Sequence, residues 1–178
     1  LTDADDGPRL PDDFWATTTS LALAASAFAP RFGERPQDAL CVGLLAQLGA
    51  ALLHHADPDG YRALLAAHRT AAARRRAEAA RYGTSAERLT AVALERWGFP
   101  PAVVLPVQRV EDAGSVEGGL LRAGVEAAAR LTVPGYEPRP VTPLSAGRLR
   151  EDDLPPLLAS VRADAEELRR VLLGTQGA

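Results

Sequence analysis

The feature that most constrains the fold is an almost uncharged stretch from residue 36 to residue 55, PQDALCVGLLAQLGAALLHH. Apolar side chains recur along it every three or four positions, which is the spacing of one broad helix face. These residues are Leu40, Cys41, Leu44, Leu45, Leu48 and Leu52. Pro36 suits a first helical turn, because the N–H that proline lacks would have no partner there. The stretch therefore predicts a central, nearly buried helix around which the other segments pack.

Two glycines inside this stretch predict how closely the other segments approach. Gly43 and Gly49 occupy helical positions at which glycine costs about 1 kcal/mol relative to alanine. Close contact with neighbouring helices would explain their presence.

The composition favours helices and excludes several classes of protein. Alanine, leucine and arginine dominate, while β-branched and aromatic residues are scarce, so an all-α fold is expected. The net charge of −3 supplies no general attraction to nucleic acid or to an anionic membrane. The single cysteine, Cys41, has no partner for an intramolecular disulfide and is expected to be a small core residue in a reducing cytoplasm. The acidic N-terminus is unlike a secretory signal, and no uninterrupted apolar run predicts a membrane span.

The pattern of prolines, glycines and charges divides the chain into four consecutive parts. Residues 1–11 are expected to be a flexible lead-in, and residues 12–132 the main helical domain. Prolines make residues 133–152 an extended connector that is not expected to be helical over its first part. Residues 153–174 form a last helix that packs on the domain or extends it.

The first helix of the main domain is expected to be capped by Asp12 or Asp13 and to end near Gly33. Its inward side chains are predicted to be Trp15, Leu21, Ala25 and Phe28. The hydroxyl residues 17–20 are expected to bond to the carbonyl four residues earlier or to meet solvent.

A second long helix is expected to run from Asp57-Pro58 to a glycine at its C-terminal end, Gly83. Its basic stretch is interpreted as a solvated face rather than a phosphate-binding patch. The arginines concerned are Arg69, Arg74, Arg75, Arg76 and Arg81. Residues 84–87, TSAE, fit a capping box for the next helix, which should end at Gly98. Its inward side chains are predicted to be Leu89, Val92, Ala93 and Trp97.

Two more helices are expected before the connector. A short one follows Pro100-Pro101, and Pro106 should kink it by removing a backbone hydrogen bond. An amphipathic one should end near Leu131, with Leu120, Leu121, Val125 and Ala128 as its buried face.

The segments FWATTTSLALAASAFA, GLLAQLG and RYGTSAERLTAVALERWGFPPAVVLPVQ resemble the HDOD family, the HD-related output domains of bacterial signalling proteins. The resemblance covers roughly residues 12–132 and implies an HD-like bundle of about six to seven helices. Family members usually carry another helical half ahead of the Phe-Trp helix. Without that half, apolar helix surface should be exposed and then covered by a partner chain or by self-association.

In the HD superfamily, His and Asp side chains hold divalent metals that activate water for phosphate hydrolysis. The resemblance places those ligand positions on residues that are poor ligands. The positions are Thr17, Ala46, Gln47, Ala86, Val110 and Glu111. Only Glu111 is a plausible ligand, so neither a bound metal or other cofactor nor HD-type catalysis is expected.

Other residues offer little replacement chemistry. His54 and His55 are neighbours on a helix, so their side chains diverge, and they are interpreted as a polar helix end rather than a metal site with Asp57 or Asp59. No phosphate-binding loop, zinc-protease helix motif or nucleophile elbow is present in the sequence.

The leading hypothesis is a non-catalytic, cytoplasmic signalling module that acts through a protein partner or self-association, without nucleic acid or membrane. Gln47 would hydrogen-bond either to Thr17 or Glu111, or to a neighbouring backbone group. A second hypothesis is the binding of a small ligand such as a nucleotide in the former metal pocket, with Arg88 or Arg109 as phosphate contacts. A third, less favoured, is a metal-dependent phosphohydrolase with atypical ligands.

Overall fold

The computed structural model describes residues 14–68 and 70–173. Its regular secondary structure is entirely helical, with no strand in these two ranges. The predicted all-α class is therefore confirmed. The α-helices are α1 Phe14–Phe32, α2 Pro36–Leu45, α3 Leu48–Ala56, α4 Pro58–Ala67, α5 Ala71–Tyr82, α6 Ala86–Arg96, α7 Pro101–Gln108, α8 Val116–Thr132, α9 Val141–Leu144 and α10 Leu154–Leu173. A 3₁₀ turn at Glu151–Asp153 precedes α10. The proposed caps Asp12 and Asp13, like the lead-in, lie outside the described residues.

The helices exceed the six to seven expected, mainly because two predicted helices are each divided in two. The stretch 36–55 is interrupted by a turn at Ala46 and Gln47, between α2 and α3. The second long helix is interrupted after α4, where His68 is extended and the Thr70 side chain caps α5 by accepting from the amide of Ala73 at 3.2 Å. Neither interruption contains a glycine or proline, so the sequence pattern gave no indication of it. The single turn α9 also lies in the part of the connector that was expected not to be helical.

The buried centre of the molecule is α1, not the stretch 36–55. One face of α1 is fully buried and packs mainly against α2 and α8, with α10 alongside. That face includes Leu21, Ala24, Ala25, Phe28 and Ala29. The small alanines let neighbouring backbones come close. This is the close contact between helices that Gly43 and Gly49 predicted. A Cβ built on Gly43 would lie 2.3 Å from the Cα of Ala22 in α1, and one on Gly49 would lie 1.9 Å from the carbonyl oxygen of Ala86.

The predicted burial of the 36–55 stretch is wrong for much of its leucine face. Because Gly43 and Gly49 form the contacts with α1 and α6, part of the leucine face points outward. Leu44 is 49% exposed, Leu52 is 39% exposed, and Cys41 is an exposed thiol rather than a core residue.

Other side chains predicted to point inward are also exposed. They are Trp15, Val92, Trp97 and Val125. Trp15 lies in the first turn of α1 and Trp97 just beyond the last residue of α6, where the faces of neighbouring helices no longer cover them.

Counted as one length across the turn at Ala46 and Gln47, Pro36–Ala56 is long and apolar enough to cross a membrane by composition, with a mean hydropathy of 1.5. This is weak evidence for a span, because core helices of soluble proteins meet the same criterion. In this structure α2 and α3 pack against α1 and α6.

The boundaries of α6 show how local chemistry places an element. Gly83, with φ of +74°, ends α5 in the left-handed conformation that the sequence predicted. The helix that follows is capped by Ser85, whose Oγ accepts from the amide of Arg88 at 3.3 Å, so the predicted start is correct to within one residue but the predicted capping box at 84–87 is wrong.

Candidate functional site

A cavity of about 310 Å³ lies between the α2–α3 turn, α4, α5, the start of α6 and the loop after α7. The residues placed at the former metal positions by the family resemblance line this cavity, except for one. Those that line it are Ala46, Gln47, Ala86, Val110 and Glu111. Thr17 is half-buried on α1 and is not part of the lining.

The two arginines suggested as phosphate contacts do not reach this cavity. Arg88 is exposed on α6 and lines a separate open hollow, and Arg109 is exposed at the end of α7. Neither arginine turns inward to line this cavity, and their role as phosphate contacts stays a prediction.

One wall of the cavity is organised by a buried carboxylate on α5, Glu78, which is 3% exposed. Its Oε1 accepts from the hydroxyl of Tyr61 at 2.9 Å, and its Oε2 accepts from the amide of Ala86 at 2.8 Å. Burial, together with the adjacent Glu78, raises the pKa of Tyr61 well above its ordinary value, so the phenol stays protonated. Glu78 thus joins α4, α5 and the first residue of α6.

A second wall carries an ion-pair group centred on Arg75, also on α5. Its guanidinium lies 3.6 Å from Glu87 and 3.4 Å from Glu111. Burial raises the pKa of the Glu87 carboxyl, although Arg75 opposes this. The Oε2 atom of Glu87 is buried and has no hydrogen-bond partner within the described part of the chain. Glu87 therefore does not serve as the capping-box residue that the sequence suggested.

The interpretation of the arginine stretch as a solvated face is thus partly wrong. Arg76 and Arg81 are exposed, but Arg74 and Arg75 are half-buried and line the cavity, and Arg69 is outside the described residues. The helical pattern of α5 contains so few large apolar residues that it could not identify which face points inward.

Two polar side chains in the lining are available for further bonds. Gln47 and Arg74 make no side-chain hydrogen bond or ion pair with any residue in 14–68 or 70–173. Neither bond expected of Gln47, to Thr17 or Glu111 or to a backbone group, is present in these ranges.

The loop at residues 110–115, which borders the cavity, is held by Arg122 of α8. Its guanidinium donates to the carbonyl oxygens of Val110 at 3.2 Å, Ala113 at 3.1 Å and Ser115 at 2.9 Å, and also to that of Asp112. Nε of the same side chain donates to the carbonyl of Leu144 at 2.9 Å. The wall formed by residues 110–115 is therefore fixed to α8 by one side chain.

The donor set does not fit the divalent metal of the HD superfamily. Alanine and valine supply no ligand atom, and Glu111 is bound to Arg75. In the described residues, no three His, Cys, Asp or Glu side chains are placed to hold a metal ion. The neighbouring His54 is 2% exposed and packs 6.4 Å from the ring of Tyr61, so it is a core residue and not the polar helix end that was expected.

Comparisons with known proteins agree on one fold. The sequence model of the HDOD domain matches residues 3–113. The MmoQ response regulator from Methylococcus capsulatus str. Bath is similar in structure, with a TM-score of 0.68 and 23% identity over 85% of this chain and 62% of that protein. The "Putative phosphohydrolase" of Shewanella amazonensis SB2B is similar with a TM-score of 0.61 and 22% identity, over 93% of this chain and 57% of that one. The chain thus spans about three fifths of the length of these two proteins, and no curated protein matches it.

Proposed function

Because the chain belongs to the HDOD domain family, we propose that it is a non-catalytic signalling module that works by binding another protein chain. The observation that carries the first half of this proposal is the lining of the former metal position. Ala46, Ala86 and Val110 offer no ligand atom there, and the nearby carboxylates Glu87 and Glu111 already flank Arg75. The similar fold of a response regulator is consistent with a signalling role.

The proposal that the chain binds protein is based on a groove of about 580 Å³ between α1, the end of α8 and α10. We call it the α1–α10 groove. Its apolar lining includes Trp15, 66% exposed, Leu168, 39% exposed, and Leu131. Val171, one turn beyond Leu168 on α10, is 73% exposed. Exposed tryptophan and leucine side chains rimmed by charges are typical of protein–protein contact sites.

The rim of the groove carries charged side chains around the apolar centre. Arg162 and Arg169 lie along one helix with Glu166 between them, all on α10. Arginine and aromatic residues are enriched at interfaces, and charges of both signs at the rim set orientation more than affinity.

Sedimentation velocity tests the interaction, with a second copy of the chain as the first partner. We expect concentration-dependent association of the wild-type chain and its loss in the double variant Trp15→Ser, Leu168→Ser. The matched control is Val92→Ser, an exposed apolar side chain outside the groove, which should associate like the wild type. A wild-type chain that stays monomeric at several hundred micromolar, or a double variant that associates normally, would contradict the proposed role of the groove.

Hydrolysis of bis(p-nitrophenyl) phosphate with added Mn²⁺ tests the other half of the proposal. We expect no rate above that of buffer with the metal alone. A metal-dependent rate that falls in Glu111→Gln would overturn the non-catalytic assignment and support the phosphohydrolase alternative, because Glu111 is the one carboxylate at a former ligand position.

A further inference from the structure

Arg74 is a half-buried cation that faces the 310 Å³ cavity without a counter-ion. It lies on α5, an element that contains none of the former metal positions. No carboxylate among the described residues lies within ion-pair distance of it. It lines the cavity together with Tyr61 and Glu78, and its charge opposes the rise in the pKa of Tyr61.

The other charged groups around the cavity are satisfied by the protein. Glu78 is bonded to Tyr61 and to the Ala86 amide, and Arg75 is flanked by two carboxylates. Arg122 is saturated by carbonyl oxygens, and Arg139 donates to the buried carboxylate of Glu126 at 3.0 Å. Arg74 is therefore the one charged side chain of the described lining that no hydrogen bond or ion pair of the protein satisfies, and partial burial of such a guanidinium is costly.

Two further polar groups in the lining lack partners within the described ranges, and both favour a ligand with neutral polar groups. The Gln47 amide can donate and accept, and the Oε2 atom of Glu87 is buried without a hydrogen bond. An unsatisfied buried oxygen costs about 1–3 kcal/mol, which a ligand hydroxyl would recover.

We propose that this cavity binds a small hydroxylated oxyanion, with its single carboxylate or phosphate group at Arg74 and its hydroxyl groups at Gln47 and Glu87. The cavity of about 310 Å³ is at the lower end of the range for small-molecule sites. Arg74, the one lining cation in the described ranges without a protein partner, matches one anionic group, and three carboxylates in the same lining disfavour a polyphosphate chain.

The proposal does not depend on the α1–α10 groove or on the absence of hydrolysis. It replaces the pair Arg88 and Arg109, which the structure places outside this cavity, with Arg74 on a different helix. It also differs from metal-mediated phosphate binding, because the oxyanion is held by a guanidinium alone.

Isothermal titration calorimetry with four probes separates the contribution of the anionic head group to binding from that of the hydroxyl groups. Ribose 5-phosphate and gluconate carry an oxyanion with hydroxyl groups, inorganic phosphate carries the head group alone, and ribose carries hydroxyls alone. We expect saturable binding of ribose 5-phosphate, of gluconate or of both, weaker binding of inorganic phosphate, and none of ribose. Preference for one of the first two probes identifies the head group as phosphate or carboxylate.

The variant Arg74→Gln should weaken binding of the preferred probe by about tenfold or more, as expected for loss of a charged hydrogen bond. The matched control is Arg76→Gln, an exposed arginine on the same helix that does not line this cavity, and it should bind like the wild type. Gln47→Ala should weaken ribose 5-phosphate or gluconate but leave inorganic phosphate unchanged. Thermal melts of each variant establish that it is folded.

Three results would overturn the inference. One is the absence of saturable binding of any oxyanion probe at millimolar concentration. Another is equal affinity of the wild type and Arg74→Gln. The third is a loss in Arg76→Gln as large as that in Arg74→Gln, which would move the site to the open hollow that Arg76 lines. None of these results would bear on the self-association or hydrolysis tests.

Discussion

At the scale of single residues, the clearest feature is Glu126, a carboxylate on α8 with 0% exposure. It accepts hydrogen bonds from the hydroxyl of Tyr136 at 2.6 Å, from Nε of Arg130 at 2.9 Å, and from both the backbone amide and Nε of Arg139. Burial alone would raise the pKa of Glu126, but these donors outweigh it and hold the pKa below its ordinary value of 4.5. One acid therefore secures the loop between α8 and α9.

The lowered pKa of Glu126 predicts how stability depends on pH. Since the folded state binds this proton less readily than the unfolded state, the stabilisation is complete above pH 4.5 and is lost as pH falls through the folded pKa. Glu126→Gln should unfold more easily at pH 7, by about 2–4 kcal/mol, because two arginines lose their charged acceptor. Urea unfolding between pH 7 and pH 3 should show a flatter pH profile for this variant.

The control for this prediction is Glu137→Gln, which changes an exposed carboxylate in the same loop. It should reproduce the wild-type profile. Parallel pH profiles for the wild type and Glu126→Gln would show that Glu126 does not carry the acid sensitivity.

At the scale of elements, the contact between α1 and α2 depends on a glycine. A Cβ at Gly43 would lie 2.3 Å from the Cα and 2.7 Å from the amide nitrogen of Ala22, and both are backbone atoms that no side-chain rotation can move aside. Gly43→Ala should therefore separate α1 from α2 and cost about 3 kcal/mol or more in the free energy of unfolding. Urea unfolding followed by circular dichroism measures the loss.

Gly114→Ala is the comparison for this variant. A Cβ there meets only the Oδ1 atom of Asp112, at 3.5 Å, which is ordinary contact distance. We expect a change within about 0.5 kcal/mol. A similar small effect of Gly43→Ala would mean that α1 and α2 can move apart at little cost.

The same elements show what the sequence could and could not predict. The glycine contacts, the end of α5 at Gly83 and the class of fold follow from local chemistry and were predicted from it. The interruption at Ala46 and Gln47 contains no helix breaker and arises from packing against α1 and α6, so periodicity along the stretch missed both the break and its outward leucine face.

The candidate site, like the helices, could be predicted from the sequence only in part. The family resemblance located Ala46, Ala86 and Glu111, which the fold brings to one cavity, although their role stays a prediction. Arg74 and Glu78 could not be found from the sequence, because α5 has too few large apolar residues to show its inner face. Their burial depends on the break before Thr70, which sets the direction of α5.

At the scale of the whole molecule, the residues beyond the family match form part of the same core. The match ends at residue 113, but α8, α9 and α10 contribute to the buried cluster that contains Phe28 of α1. Val141 and Val161 are each 0% exposed within it. The last helix is therefore packed on the bundle through its first half, while its second half forms the α1–α10 groove.

This shared core predicts a single unfolding transition. Val161→Ala should cost about 2 kcal/mol, since it removes buried methyl groups and leaves a void. The decrease should appear equally in circular dichroism and in the fluorescence of Trp15, on α1, and of Trp97, the residue that follows α6. Val171→Ala, on the same helix but 73% exposed, should change stability by less than about 0.5 kcal/mol. Two separate transitions would show instead that α10 unfolds independently of the bundle.

The bonds of Arg122 affect how the loop at residues 110–115 can move. Residues 110–115 present several carbonyl oxygens to one guanidinium, so lifting the loop away from Arg122 breaks all of these bonds together. The loop must then detach as one unit, and its local unfolding is a two-state event rather than gradual fraying. The backbone amides of residues 110–115 should therefore exchange with solvent at one common rate, set by a single side chain on α8.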